Sequence, residues 1–165
     1  MAGSLKKRLG LDTNLLLDLA EGKDFAEDFR AEFQAHGYEL LVAPTVAGEL
    51  NALSIYGGEP QRTLADHALR KLRNWKCQPY PLSDTNLAVV DRFSARLWEL
   101  KLIPEEEQND GRILGETSLA GIPLLVTSDK HLLDIEEEAL LVAFNEADMF
   151  PVQAAHPKRL LRALR

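Results

Sequence analysis

Short β-prone runs alternate with longer stretches of helical period along almost the whole chain, and this alternation restricts the fold most. The runs lie at residues 8–11, 39–43, 78–80, 123–127 and 140–144. Between them, apolar residues recur at helical spacing over 14–20, 24–35, 46–55, 61–75, 84–100 and 111–120. Parallel strands need long crossovers, usually helices, which then cover both faces of the sheet. The expected fold class is α/β: a three-layer α/β/α sandwich with a central parallel sheet. Stop signals fall at His36-Gly37, Gly57-Gly58, Gly121-Ile122-Pro123 and Phe150-Pro151.

No internal repeat or low-complexity linker divides the 165 residues, a length that suits one domain with a proper core. Residues 5–150 are expected to form that domain. Residues 151–165 then form a basic C-terminal helix or tail, with Leu160, Leu161 and Leu164 opposite Lys158, Arg159, Arg162 and Arg165. Met1-Ala2-Gly3-Ser4 reads as a cloning scar with no apolar signal stretch behind it. Apolar runs such as Leu15-Leu16-Leu17 are too short to cross a bilayer, so no membrane association is expected. Cys77 is the only cysteine, which excludes a disulfide framework and a thiolate metal site and makes a cytoplasmic setting the default. The net charge of −7 argues against broad affinity for nucleic acid, although a metal ion or a local basic patch can supply positive charge.

Four of the 26 acidic residues stand beside apolar stretches that should be buried: Asp12, Glu49, Asp110 and Asp129. A carboxylate next to a core costs free energy unless something compensates it, and a divalent cation does so directly. Asp12 ends the first strand run and Asp129 follows Leu124-Leu125-Val126-Thr127. Open parallel sheets bind ligands at such strand ends. Glu49 lies on the helical stripe Val46, Glu49, Leu50, Leu53, and Asp110 opens the stripe Ile113, Leu114, Thr117. Two acids from strand ends and two from inward helical faces are expected to converge on one cleft. Taken singly, Asp12 and Asp129 serve equally well as helix caps, and Asp110 suits a helix N-terminus. Capping accounts poorly for Glu49, a full turn inside its helix.

With Asp12-Thr13-Asn14 at the first strand, Glu49 inside a helix, Asp110 with Ile113 opening another, and Thr127-Ser128-Asp129 closing a strand, the sequence resembles a PIN domain of the VapC-like kind. The resemblance covers residues 9–144. It implies a metal-dependent ribonuclease using Mg²⁺ or Mn²⁺ on single-stranded or looped RNA, leaving a 5′-phosphate and a 3′-hydroxyl. It also implies a homodimer formed by helices flanking the cleft, with an antitoxin protein as a partner where the chain is the toxin of a toxin–antitoxin pair. The apolar side of the C-terminal helix is a second candidate dimer surface. The chain departs from compact VapC-like toxins by extra helical sequence between Gly57 and Glu107 and by Gly115-Glu116 after Asp110. A stand-alone RNA-processing nuclease therefore stays open beside the toxin.

Carboxylates without cysteine or paired histidines select hard cations. Asp12, Asp110 and Asp129 are the expected direct or water-mediated ligands. Glu49 is expected to bind the metal or to polarise a water. Thr13, Asn14, Thr127 and Ser128 are candidates to orient the carboxylates or contact phosphate, with backbone capping an equal alternative for each. Glu116 should point away from Asp110, and Glu105-Glu106-Glu107 reads as an exposed acidic turn. Arg62, Arg70, Lys71, Arg73 and Lys76 mark either an RNA-facing ridge or a solvated helix face. Two further classes compete. A Mg²⁺ phosphotransfer domain usually carries two adjacent acids at its first strand, whereas Asp12 is followed by Thr13-Asn14. A catalytically silent RNA- or protein-binding module would not need intact acids at all four positions.

Overall fold

Five parallel strands form one sheet in the order β3-β2-β1-β4-β5, with β1 (Arg8–Leu11) at its centre. The computed structural model describes residues 7–165, so residues 1–6, including the four read as a cloning scar, lie outside the described part. The chain runs β1, α1 (Thr13–Glu21), α2 (Asp24–Ala35), β2 (Glu39–Val42), α3 (Pro44–Tyr56), α4 (Gln61–Lys71) and β3 (Cys77–Pro79). It continues through α5 (Asp84–Glu99), a 3₁₀ turn (Glu105–Glu107), α6 (Gln108–Leu119), β4 (Leu124–Val126), α7 (Lys130–Leu133), α8 (Glu137–Glu146), β5 (Gln153–Ala155) and α9 (Pro157–Leu164). This is the expected helix-flanked parallel α/β architecture.

The strand order reverses next to β1. From β1 the chain builds outward through β2 to β3, then returns to place β4 on the other side of β1. Such a switch point opens a crevice at the carboxyl ends of the two strands that part there. β1 is buried at Leu9, Gly10 and Leu11 because it is covered on both faces. Leu15, Leu16, Phe29, Leu50, Ile113 and Phe144 complete a fully buried core. Phe93 of α5 stacks on Phe144 of α8 with ring centroids 4.7 Å apart.

The run at residues 140–144 is not a strand. It is the middle of α8, with Leu140, Ala143 and Phe144 buried and Leu141 and Val142 exposed. That is helical spacing, and Glu136 caps the helix start by accepting from the backbone N–H groups of Glu138 and Ala139. A continuous apolar run cannot be assigned by periodicity alone, and here the preceding acids mark the helix. The fifth strand is instead Gln153–Ala155, paired in register with β4. α9 then packs on α2, burying Leu161 and half-burying Leu160 and Leu164. The apolar side of α9 is thus spent within its own chain. Among the described residues, no helix is long and apolar enough to cross a membrane.

Candidate metal centre

Asp12 sits where the central strand ends, and its orientation is fixed three ways. Its N–H donates to the carbonyl of Val126 at 2.9 Å, which ties the end of β1 to β4. Its Oδ1 accepts from the N–H of Thr13 at 2.9 Å, capping α1. Its Oδ2 accepts from the Thr127 hydroxyl at 2.6 Å. The residue is only 4% exposed. Burial pushes its pKa up to about 6; the hydrogen bonds from Thr127 and Thr13 oppose this, and the charges of Glu49 and Asp129 reinforce it.

Asp110 enters from the first turn of α6. It is buried, and its Oδ2 has no hydrogen-bond partner among the described residues. Burial, followed by the charges of Asp12, Asp129, Glu107 and Glu49, raises its pKa to about 8. Asp110 therefore feels the other three expected acids, and a fifth, Glu107, joins them. Oxygens of Glu107, Asp110 and Asp129 all lie within 4.8 Å of one another. Asp12 and Glu49 line the same cleft, of about 500 Å³, outside that tight group.

Glu107 corrects the reading of Glu105-Glu106-Glu107 as a wholly exposed turn. Glu105 and Glu106 are exposed, but Glu107 is half-buried in the cleft wall. The signal was its spacing from Asp110. Residues three apart share a face where the helical turn starts early, and the 3₁₀ turn runs directly into α6.

The supporting residues divide. Thr13 donates its hydroxyl to Glu49 Oε1 at 2.5 Å, and Asn109 Nδ2 approaches Glu49 Oε2 at 3.5 Å. Arg112 in turn donates to Asn109 Oδ1 at 2.9 Å. Thr127 binds Asp12 with its hydroxyl and also accepts from the N–H of Asp129 at 2.9 Å. Asn14 is exposed on the cleft wall, and Ser128 lies outside the lining. Asp129 also caps α7, accepting from the N–H of His131 at 2.9 Å. Capping and cleft lining are thus both true of Asp12 and Asp129. Glu116 points elsewhere, as expected, and binds Thr45 of α3.

Gly111 lets α6 approach α5 closely enough to aim Asp110 inward. A Cβ there would lie 2.5 Å from Ser94 Oγ and 2.8 Å from Ile103 Cδ1. On the basic face of α4 the charge is partly spent: Arg62 pairs with Glu59 at 3.0 Å and Arg70 with Asp66 at 3.1 Å.

An orphaned, buried carboxylate oxygen among four further acids fits a hard divalent cation, and the donors are all oxygen. No family model matches the sequence, and no curated relative does. The fold, however, is shared with solved structures. One is VapBC2 from Rickettsia felis bound to a DNA fragment from their promoter, with a TM-score of 0.61 and 14% identity over 90% of this chain and 98% of that one. Another is VapBC-1 from nontypeable Haemophilus influenzae, with a TM-score of 0.58 and 12% identity over 92% of this chain and 98% of that one. The likeness is one of fold, and the fold is the PIN-like one.

Proposed function

We propose that this PIN-like chain is a metal-dependent endoribonuclease acting on single-stranded or looped RNA. The observation that carries the reading is the buried Asp110 carboxylate, with one oxygen unpartnered and four other acids around it. Such an arrangement is costly in the free protein unless a cation offsets it. Glu107, Asp110 and Asp129 would hold Mg²⁺ or Mn²⁺ most directly, and Asp12 would do so from its fixed position at the end of β1. When bound, the ion supplies Lewis-acid charge to the phosphoryl oxygens and lowers the pKa of water. Glu49, aligned by Thr13 and Asn109, accepts a proton from the attacking water. Thr127 keeps Asp12 in place at the junction of β1 and β4. The products carry a 5′-phosphate and a 3′-hydroxyl.

Within this reading the chain is the toxin half of a toxin–antitoxin pair, self-associating through helices beside the cleft. The support for the toxin role is the fold shared with two VapBC structures. Calorimetric titration with Mn²⁺ tests the metal centre. Wild type should bind in the cleft, and Glu107→Gln should bind at least about tenfold more weakly, since each lost carboxylate removes a charged ligand. Equal binding by both removes Glu107 from the centre. Induced expression tests the toxin role: growth arrest by wild type but not by Asp12→Asn supports it, and unimpaired growth with active protein leaves a processing nuclease.

A further inference from the structure

The cleft has two unlike ends. Beside the acids stands an apolar wall made by Leu17 of α1 and by Ala52, Leu53 and Tyr56 of α3. Tyr56, the last residue of α3, is 86% exposed although it lines this cleft, and its neighbour Ile55 is 63% exposed. The ring contributes little to the core, and the helix stops immediately behind it. A Cβ on Gly57 would lie 2.5 Å from the Leu53 carbonyl oxygen, so glycine is what allows the chain to turn away there. The turn leaves the ring at the mouth of the cleft.

We infer that this wall is a nucleobase subsite, with Tyr56 stacking on the base of a nucleotide next to the scissile phosphate. The inference rests on the ribonuclease reading above and adds the side of the substrate that is recognised. A nucleotide has the same two characters as the cleft: a charged phosphate and an apolar π-face. Stacking requires an unpaired base, so the subsite adds a requirement for a single-stranded nucleotide beside the cleaved bond. The cleft, at about 500 Å³, lies within the size range of small-ligand sites.

The test is a cycle of cleavage measurements with Mn²⁺, crossing wild type, Tyr56→Ala and Tyr56→Trp with a single-stranded oligoribonucleotide and its abasic variants. Tyr56→Ala should lower kcat/KM about tenfold and Tyr56→Trp should retain it. One abasic position should cost wild type the same factor and cost Tyr56→Ala nothing further. Thermal melts of the three proteins should coincide, because the ring is exposed. If Tyr56→Ala cleaves like wild type, or if its loss and the abasic loss simply multiply, the ring touches no base and the subsite is wrong while the nuclease stands. An unchanged rate includes the case in which the ring serves a protein partner instead. If wild type cleaves no RNA, the nuclease reading itself has failed.

Discussion

Glu116 of α6 grips the start of α3 through Thr45, its Oε1 accepting from the backbone N–H at 2.9 Å and its Oε2 from the hydroxyl at 2.7 Å. α3 lacks a side-chain cap of its own, since Ala43 occupies the N-cap position and Pro44 follows. The distant carboxylate does the capping. It also joins the helix that carries Asp110 to the helix that carries Glu49.

Glu116→Ala should therefore destabilise the protein by ~1 kcal/mol, because it strands the part-buried Thr45 N–H. Glu116→Gln should hold close to wild type, since the amide oxygen can still accept from the Thr45 N–H. Burial raises the pKa of Glu116, so removing its charge is not itself costly. Denaturant melts decide the matter; an alanine variant as stable as wild type means the contact contributes nothing.

Gly111→Ala should be worse than its single methyl suggests. The added Cβ meets Ser94 Oγ of α5 at 2.5 Å and Ile103 Cδ1, from the loop between α5 and the 3₁₀ turn, at 2.8 Å. Overpacking of this kind costs ~1–3 kcal/mol. It also moves the residue after Asp110, so activity should fall in protein that is still folded. Circular dichroism melts and RNA cleavage on the same preparation test both halves, and unchanged values in both would show that α6 yields freely.

The metal-free protein should lose stability as pH rises. Asp12 and Asp110 have folded-state pKa values of about 6 and about 8, above the ordinary carboxylate value of 3.8. Between these limits the folded state holds more protons than the unfolded one, so stability falls with pH. The contribution is complete below pH 3.8, fades as pH passes 6, and is gone above 8. Asp110→Asn removes the more strongly raised of the two charges. It should melt higher than wild type in EDTA at pH 8, with each ~1 kcal/mol worth ~2–4 °C. It should gain less than wild type from Mg²⁺ or Mn²⁺. A variant that melts lower in EDTA and responds to metal like wild type would make Asp110 a helix-terminus residue.

The legible parts of this fold were those with local physics behind them. β1 and the start of α1 follow from a buried run ending in an Asp that can cap. Asp110 was legible because its stripe continues through Ile113 and Leu114, both fully buried. β5 was not legible: Gln153-Ala154-Ala155 has neither alternation nor branched side chains, and pairing with β4 alone makes it a strand. Glu107 was hidden among Glu105 and Glu106, and only its spacing of three from Asp110 set it apart from them. The role of Glu116 depends on a residue 71 positions away, and no local pattern announces such a contact.

The most direct measurement is cleavage of a labelled single-stranded RNA by purified protein with Mg²⁺, with Mn²⁺ and with EDTA, using wild type and Asp12→Asn. Asp12→Asn preserves shape and removes a charge from the junction of β1 and β4. Wild type should cleave with either metal, EDTA should abolish the reaction, and Asp12→Asn should be slower by about 100-fold or more, as expected for loss of a group that supports charge stabilisation. Cleavage that survives EDTA, or an Asp12→Asn protein as fast as wild type, would contradict the account.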